Sequence, residues 1–218
     1  HLYKMDYSKM LKFHKENNAD LTISVMEVPM EEANRFGILT ADENNKIFKF
    51  SEKPKEPDSN LASMGIYIFS WPVLKEALLE DGEMEDSDHD FGKNIIPMLL
   101  GRGNSIYAYT FSGYWKDVGT IESYYETNME LLDPDSGFNI FEEEMKVYSN
   151  SNMYPPSYNG PEAKVSNCLI CNGCSVLGTV EHSILSFGVQ VEEGAKVIDS
   201  ILLPGAVVKK GARVERAI

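Results

Sequence analysis

The chain has 218 residues with a formal charge of −14, is 43% hydrophobic and 25% charged, and holds three cysteines. That composition describes a soluble globular protein, with no apolar run near membrane-spanning length and an interior large enough to need neither metal nor disulfide support. Clustered Lys and Arg give proteins their affinity for phosphate backbones, so a strongly acidic chain sets nucleic acid and anionic membranes aside as partners.

The chain starts at His1 rather than Met, and Leu2 to Lys15 carry neither a basic start nor an apolar signal core, which predicts that His1 is internal to something longer. Asp6 can cap a helix through Met10, Leu11 and Phe13 to Asn17. A strand Leu21 to Val28 follows, with Leu21, Ile23 and Val25 alternating against Thr22, Ser24 and Met26. Next comes a hairpin, Phe36 to Thr40 and Ile47 to Phe50, turning at Asp42-Glu43-Asn44-Asn45. The strand Met64 to Phe69 leads into a helix with Ser70 as cap and Pro72 in its first turn. A helix after Asp90, bent by Pro97, a strand Ile106 to Phe111 and a helix Thr120 to Leu132 complete this part. Strands alternating with helices around a hairpin predict an α/β domain with a mixed sheet.

Residues 161 to 218 hold six acids and six bases, so the whole negative charge lies before residue 161. All three cysteines lie after it, and of the 23 aromatics only Phe187 does. Two architectures are therefore expected, joined through the Pro-, Asn- and Ser-rich stretch Asp133 to Pro161 with its acidic triplet Glu142 to Glu144. The boundaries expected are a domain over 1–135, a linker over 136–161 and a repeat domain over 162–218. The repeat has an offset of 17, seen in Val180, Val197 and Val214, in Ile184, Ile201 and Ile218, and in Ser166, Ser183 and Ser200. Aliphatics at steps of five or six residues, with Gly between, suit short strands joined by tight corners and not a helix. The pattern resembles the hexapeptide-repeat, left-handed parallel β-helix, here ending in mid-turn at Ile218.

Among chemistry-bearing residues, Glu52-Lys53-Pro54 closes the strand from Ile47. A lysine there can reach a phosphate and the carboxylate can accept sugar hydroxyls; a surface ion pair is the alternative. Asp117, in Trp115-Lys116-Asp117-Val118-Gly119-Thr120, stands between a strand and a helix, where it can ligate a hard cation such as Mg²⁺ or only support the turn. Seven acids within Glu80 to Asp90 read as a solvated loop, since their spacing does not match an EF-hand. Cys168, Cys171 and Cys174 suggest a metal set superficially, but no fourth cysteine exists and the offset of 17 pairs them with Leu185, Gly188 and Val191, which makes them small interior or corner residues. A reducing cytoplasmic setting follows from three cysteines that make no disulfide framework. His182 in the repeat would be the base of a β-helix acyltransferase; a corner histidine is the plainer reading.

Taken together, His1-Leu2-Tyr3-Lys4-Met5-Asp6-Tyr7, Arg35-Phe36-Gly37-Ile38, Phe50-Ser51-Glu52-Lys53-Pro54, Leu61-Ala62-Ser63-Met64-Gly65-Ile66-Tyr67, His89-Asp90-Phe91-Gly92-Lys93 and Tyr114 to Thr120 resemble the bacterial glucose-1-phosphate adenylyltransferases, the ADP-glucose pyrophosphorylases. The resemblance spans almost the whole chain and implies the C-terminal portion of a Rossmann-like nucleotidyltransferase domain followed by the β-helix. It implies adenylyl transfer from ATP to α-D-glucose 1-phosphate, giving ADP-glucose and pyrophosphate for glycogen synthesis, in a cytoplasmic homotetramer or a hetero-oligomer with a related subunit. It also implies roles: Lys53 on the phosphate, Gly37, Glu52 and Ser63 on the sugar, and Asp117 on Mg²⁺. In that family the second metal carboxylate directly precedes the His matching His1, and the Gly-rich nucleotide loop lies further upstream. The 218 residues are thus expected to carry the glucose 1-phosphate half and to be inactive alone. A catalytically silent regulatory subunit, a β-helix acyltransferase and an oligomerisation module are the rival readings.

Overall fold

The structure, a computed structural model, describes residues 1–143, 145–146, 148 and 153–218. Glu144, in the expected acidic triplet, lies outside the described residues. Two compact units are present, one of residues 5–113 and one of residues 1–4 with 114–218; the opening strand β1 (Leu2–Tyr3) belongs to the latter.

In the unit 5–113, α1 (Tyr7–Glu16) starts on Asp6, whose carboxylate accepts the Ser8 N–H at 3.0 Å. β2 (Leu21–Glu27) is buried at its first five positions, so the expected alternation is lost: Thr22 and Ser24 are as buried as Leu21 and Ile23. The cause is its interior place in the sheet, paired on both sides and with both faces covered. The hydroxyls find partners there, Thr22 Oγ1 at 2.8 Å from His14 Nδ1 on α1 and Ser24 donating to Met64 Sδ at 3.1 Å. The hairpin forms as β3 (Gly37–Ala41) and β4 (Ile47–Glu52), with Asp42 Oδ1 accepting the N–H groups of Asn44 and Lys46.

β5 (Leu61–Phe69) begins three residues earlier than expected and runs antiparallel to β2 and β3. α2 (Trp71–Gly82) carries Pro72 in its first turn, but Ser70 does not cap it with its side chain: that hydroxyl donates to the Ala19 carbonyl at 2.9 Å. After Asp90 a wide π-turn, Phe91–Ile95, precedes α3 (Ile96–Gly101), so Pro97 sits at a helix start rather than at a bend. β6 (Ile106–Thr110) pairs parallel with β2 and completes a mixed sheet in the order β4-β3-β5-β2-β6. Leu21, Ile23, Leu39, Ile95, Ile96, Leu99 and Ile106 form its core.

In the other unit, β1 pairs antiparallel with β7 (Trp115–Lys116), and α4 (Ile121–Glu130) opens with a reciprocal cap between Thr120 and Ser123. Beyond it, β8 (Tyr158–Asn159), β9 (Lys164–Ile170), β10 (Ser175–Val176), β11 (Thr179–Leu185), β12 (Gln190–Val191), β13 (Lys196–Ile198), β14 (Ile201–Leu202), β15 (Val207–Val208) and β16 (Arg213–Glu215) wind into a parallel β-helix. β8 falls inside the segment 136–161. Val176, Val180, Leu185, Val191 and Val197 fill the coil, and Met129 and Leu132 pack on Ile184 and Ile201.

The offset of 17 holds from β11 onward, where Val180 faces Val197 and Val197 faces Val214. One coil earlier the register differs: Val165 faces Val180, Ser166 faces Glu181 rather than Ser183, and Cys168 faces Ser183 rather than Leu185. The corner Leu177-Gly178 between β10 and β11 is two residues shorter than Glu192–Ala195 between β12 and β13. Gly178 lets that short corner sit directly beneath the carbonyls of Glu192 and Ala195, where a β-carbon would have no room. Among the described residues, no helix is long and apolar enough to cross a membrane.

Candidate functional site

The sugar-phosphate residues expected from sequence gather at one end of the sheet of the unit 5–113. β3–β4 pairing sets Gly37 directly opposite Glu52, and Ser63 lies on β5, which pairs with β3 next to it. Lys53 follows at the strand end with φ of +46°, a left-handed backbone that a β-carbon disfavours and that surrounding contacts must hold. Its N–H donates to the Phe36 carbonyl at 3.1 Å, while its ammonium extends into solvent 3.9 Å from Glu52 Oε1. A solvated cation beside a half-buried carboxylate can meet a phosphate and a hydroxyl of the same ligand.

The Glu52 carboxylate is wedged between two glycines, and a β-carbon on Gly37 or Gly92 would lie 2.9 or 2.5 Å from Oε2. Burial pushes its carboxyl above the ordinary range; Lys53 and Lys93 pull it back and Asp90 adds to the rise. Ser63 accepts the Gly65 N–H at 3.2 Å. Tyr67, on the same strand, has its phenol pushed upward by burial, with Ser63 drawing it partly back.

Sequence reasoning did not single out Asp90, Gly92 and Tyr67 as members of this cluster. The sequence reads Asp90 as a helix start, as the last acid of the run from Glu80 and as part of a resemblance segment, with no site role; at the helix start its Oδ1 does accept the Gly92 and Lys93 N–H groups at 2.8 and 2.9 Å. The same turn carries Gly92 onto Glu52 and sets the Phe91 ring, tilted, 5.7 Å from the rings of both Tyr67 and Phe69. No local signal announces that return, which only the fold makes.

Asp117 stands in the other unit, directly after β7. Its Oδ1 accepts the Gly119 N–H at 3.2 Å and lies 3.8 Å from His1 Nε2, so it does support the turn. The β1–β7 register, Leu2 opposite Lys116, brings His1 alongside it. A single half-buried carboxylate suits one arm of a hard-cation site. Among the described residues, no group of three or more His, Cys, Asp or Glu stands close enough to hold a metal by itself.

Of the remaining candidates, the three cysteines are free thiols whose pKa values burial raises, Cys174 fully inside the coil. His182 occupies a left-handed corner, stacked with the like corners Asn167, Asp199 and Arg216, and its Nδ1 meets Asp199 Oδ1 at 2.7 Å. The acidic loop departs from expectation at Asp81, which is buried. Hydrogen bonds from Ser87 and then His89 hold its carboxyl below the ordinary range.

Comparison with known proteins agrees with both architectures. Residues 1–134 match the family described as nucleotidyl transferase, and residues 156–218 match the GlmU-like C-terminal hexapeptide, the left-handed β-helix. A glucose-1-phosphate adenylyltransferase of Acetivibrio thermocellus is 51% identical over 218 residues, covering 100% of this chain and 51% of that protein. Those of Clostridium novyi (57% over 191 residues, 88% of this chain and 50% of that protein) and Desulfitobacterium hafniense (50% over 218 residues, 100% and 55%) are similar. The chain spans about half the length of the curated relatives it matches. With residues 1–134, more than half of its length, matching it, the chain belongs to the nucleotidyl transferase family.

Proposed function

We propose that the end of β4 is the glucose 1-phosphate site of a protein that transfers the adenylyl group of ATP to α-D-glucose 1-phosphate, releasing pyrophosphate and forming ADP-glucose for glycogen synthesis. The observation that carries the reading is the fixed placement of Lys53, Glu52 and Gly37 around one strand end, with Ser63 on the neighbouring strand. Relatives 50 to 57% identical to this chain bear the name of that activity.

In this reading Lys53 pairs with the substrate phosphate, Glu52 accepts sugar hydroxyls, the Gly37 backbone lets the ring approach, and Ser63 lines the pocket. A substrate phosphate oxygen attacks the α-phosphorus of ATP in line while the bond to pyrophosphate breaks, so orientation and charge neutralisation supply the rate. A divalent ion, Mg²⁺ in this proposal, would offset charge on the transferring phosphoryl group. Asp117 would hold it, as one arm of its ligand set. The domain limits in this reading are 1–135 for the sugar-phosphate half, 136–161 for a connection that already contributes β8 to the coil, and 162–218 for the rest of the β-helix. The working form is a cytoplasmic homotetramer or a hetero-oligomer with a related subunit.

The test is pyrophosphate release by the full-length protein with a panel of sugar phosphates and nucleoside triphosphates. Selective turnover of α-glucose 1-phosphate with ATP supports the reading. Preference for another sugar phosphate, or none turned over, overturns it.

A further inference from the structure

The acidic run Glu80 to Asp90, which begins in the last turn of α2, contains one residue that is not solvated. Asp81, in the last turn of that helix, is 4% exposed, and both its oxygens are engaged by the loop that follows. Oδ1 accepts the Ser87 hydroxyl at 2.6 Å, Oδ2 lies 2.8 Å from His89 Nδ1, and the His89 N–H returns to Ser87 Oγ at 3.0 Å. A buried carboxylate is costly unless it is fully hydrogen-bonded, so these contacts fix the loop as firmly as the loop satisfies the acid.

His89 is held at φ of +54°, a conformation that persists only where its surroundings impose it. The next residues are Asp90, Phe91 and Gly92. Asp90 caps the wide turn through the Gly92 and Lys93 N–H groups, and Gly92 stands against Glu52 Oε2. From Asp81 to Glu52 the linkage is continuous: buried acid, Ser87 and His89, the turn at Asp90, then the wall of the carboxylate.

We propose that Asp81 is a positioning residue for the sugar-phosphate site, setting the Glu52 carboxylate by fixing where the chain turns into Asp90-Phe91-Gly92. The inference rests on the reading of Glu52 and Lys53 given above. Asp81 touches no substrate; its effect passes through His89 and Gly92. A purely structural role for the clasp would weaken the fold and both substrates together, whereas positioning acts on one substrate.

The experiment compares Asp81→Asn, His89→Gly and the double variant in the full-length protein, reading KM for glucose 1-phosphate, KM for ATP, kcat and the thermal midpoint. Gly adopts the left-handed backbone without strain, and the His89 side chain is 56% exposed, so this variant folds even where Asp81→Asn does not. Each single change is expected to raise KM for glucose 1-phosphate about 5- to 10-fold, less than the full worth of a hydrogen bond to a charged group because the effect reaches Glu52 through the turn, with KM for ATP within about twofold. The double variant should be no worse than the more severe single, since both cut the same contact. Wild-type turnover with unshifted variants, with both KM values moving together, or with effects that multiply in the double, overturns the positioning role alone. A wild-type protein that does not use glucose 1-phosphate overturns the functional reading, and this role with it.

Discussion

Glu52 and Gly92 are packed so closely that a β-carbon on the glycine would stand 2.5 Å from the carboxylate oxygen Oε2. Gly92→Ala must therefore displace Glu52, and because the obstacle is a side-chain end rather than backbone, the fold yields before it breaks. We expect a stability cost of about 1 kcal/mol and a rise of about tenfold in KM for glucose 1-phosphate. Steady-state kinetics with a thermal melt check both; unchanged KM would show that Glu52 can move without consequence.

Glu52 also predicts a pH effect. Its carboxyl is held above the ordinary value of 4.5, chiefly by burial, so the folded chain keeps this proton more tightly than the unfolded one. That contribution to stability is full below pH 4.5 and is lost as pH rises through the folded pKa. Glu52→Gln keeps the shape without the charge, so it should melt higher than wild type at pH 7.5, match it near pH 4, and bind glucose 1-phosphate less well. A variant that melts lower at pH 7.5 would contradict the burial argument.

Asp117→Asn tests the cation arm. The amide keeps the bond from the Gly119 N–H, so the turn before α4 should survive while the hard anionic ligand is lost. The divalent-ion concentration for half-maximal rate is expected to rise by about tenfold or more, with the melting temperature little changed. An unaltered metal dependence would assign Asp117 to the turn alone.

The β-helix makes its own prediction. Gly178 lies directly beneath the carbonyls of Glu192 and Ala195, so Gly178→Ala drives a methyl into backbone that cannot step aside. The cost should be about 1 to 3 kcal/mol, read by denaturant unfolding, whereas Gly205→Ala, with open space around it, meets only the left-handed backbone penalty. Equal costs at the two glycines would contradict the short-corner geometry.

How much of this is legible in sequence depends on the range of the interaction that decides it. The helix from Tyr7, the hairpin at Asp42 and the Thr120 cap are set by neighbours within a few residues, and they form where capping and turn chemistry place them. Repeat spacing gives the β-helix, but not the two residues dropped at Leu177-Gly178, since a shorter corner leaves the aliphatic pattern within each coil intact. Burial of Thr22 and Ser24 depends on which strands end up inside the sheet, between two neighbours. Asp81 looks like its solvated neighbours because its partners Ser87 and His89 are fixed by the loop's path and not by spacing. Lys53 and Glu52 are legible in sequence only as a strand-end pair; the conformation that keeps them 3.9 Å apart with the ammonium outward and the carboxylate inward belongs to the fold.

The most direct test of the central claim is Lys53→Ala in the full-length protein, with KM measured separately for glucose 1-phosphate and ATP. Loss of a charged contact to the sugar's phosphate should raise KM for glucose 1-phosphate about 10- to 100-fold and leave KM for ATP within about twofold. Equal effects on the two substrates would contradict the placement of the sugar phosphate at the end of β4.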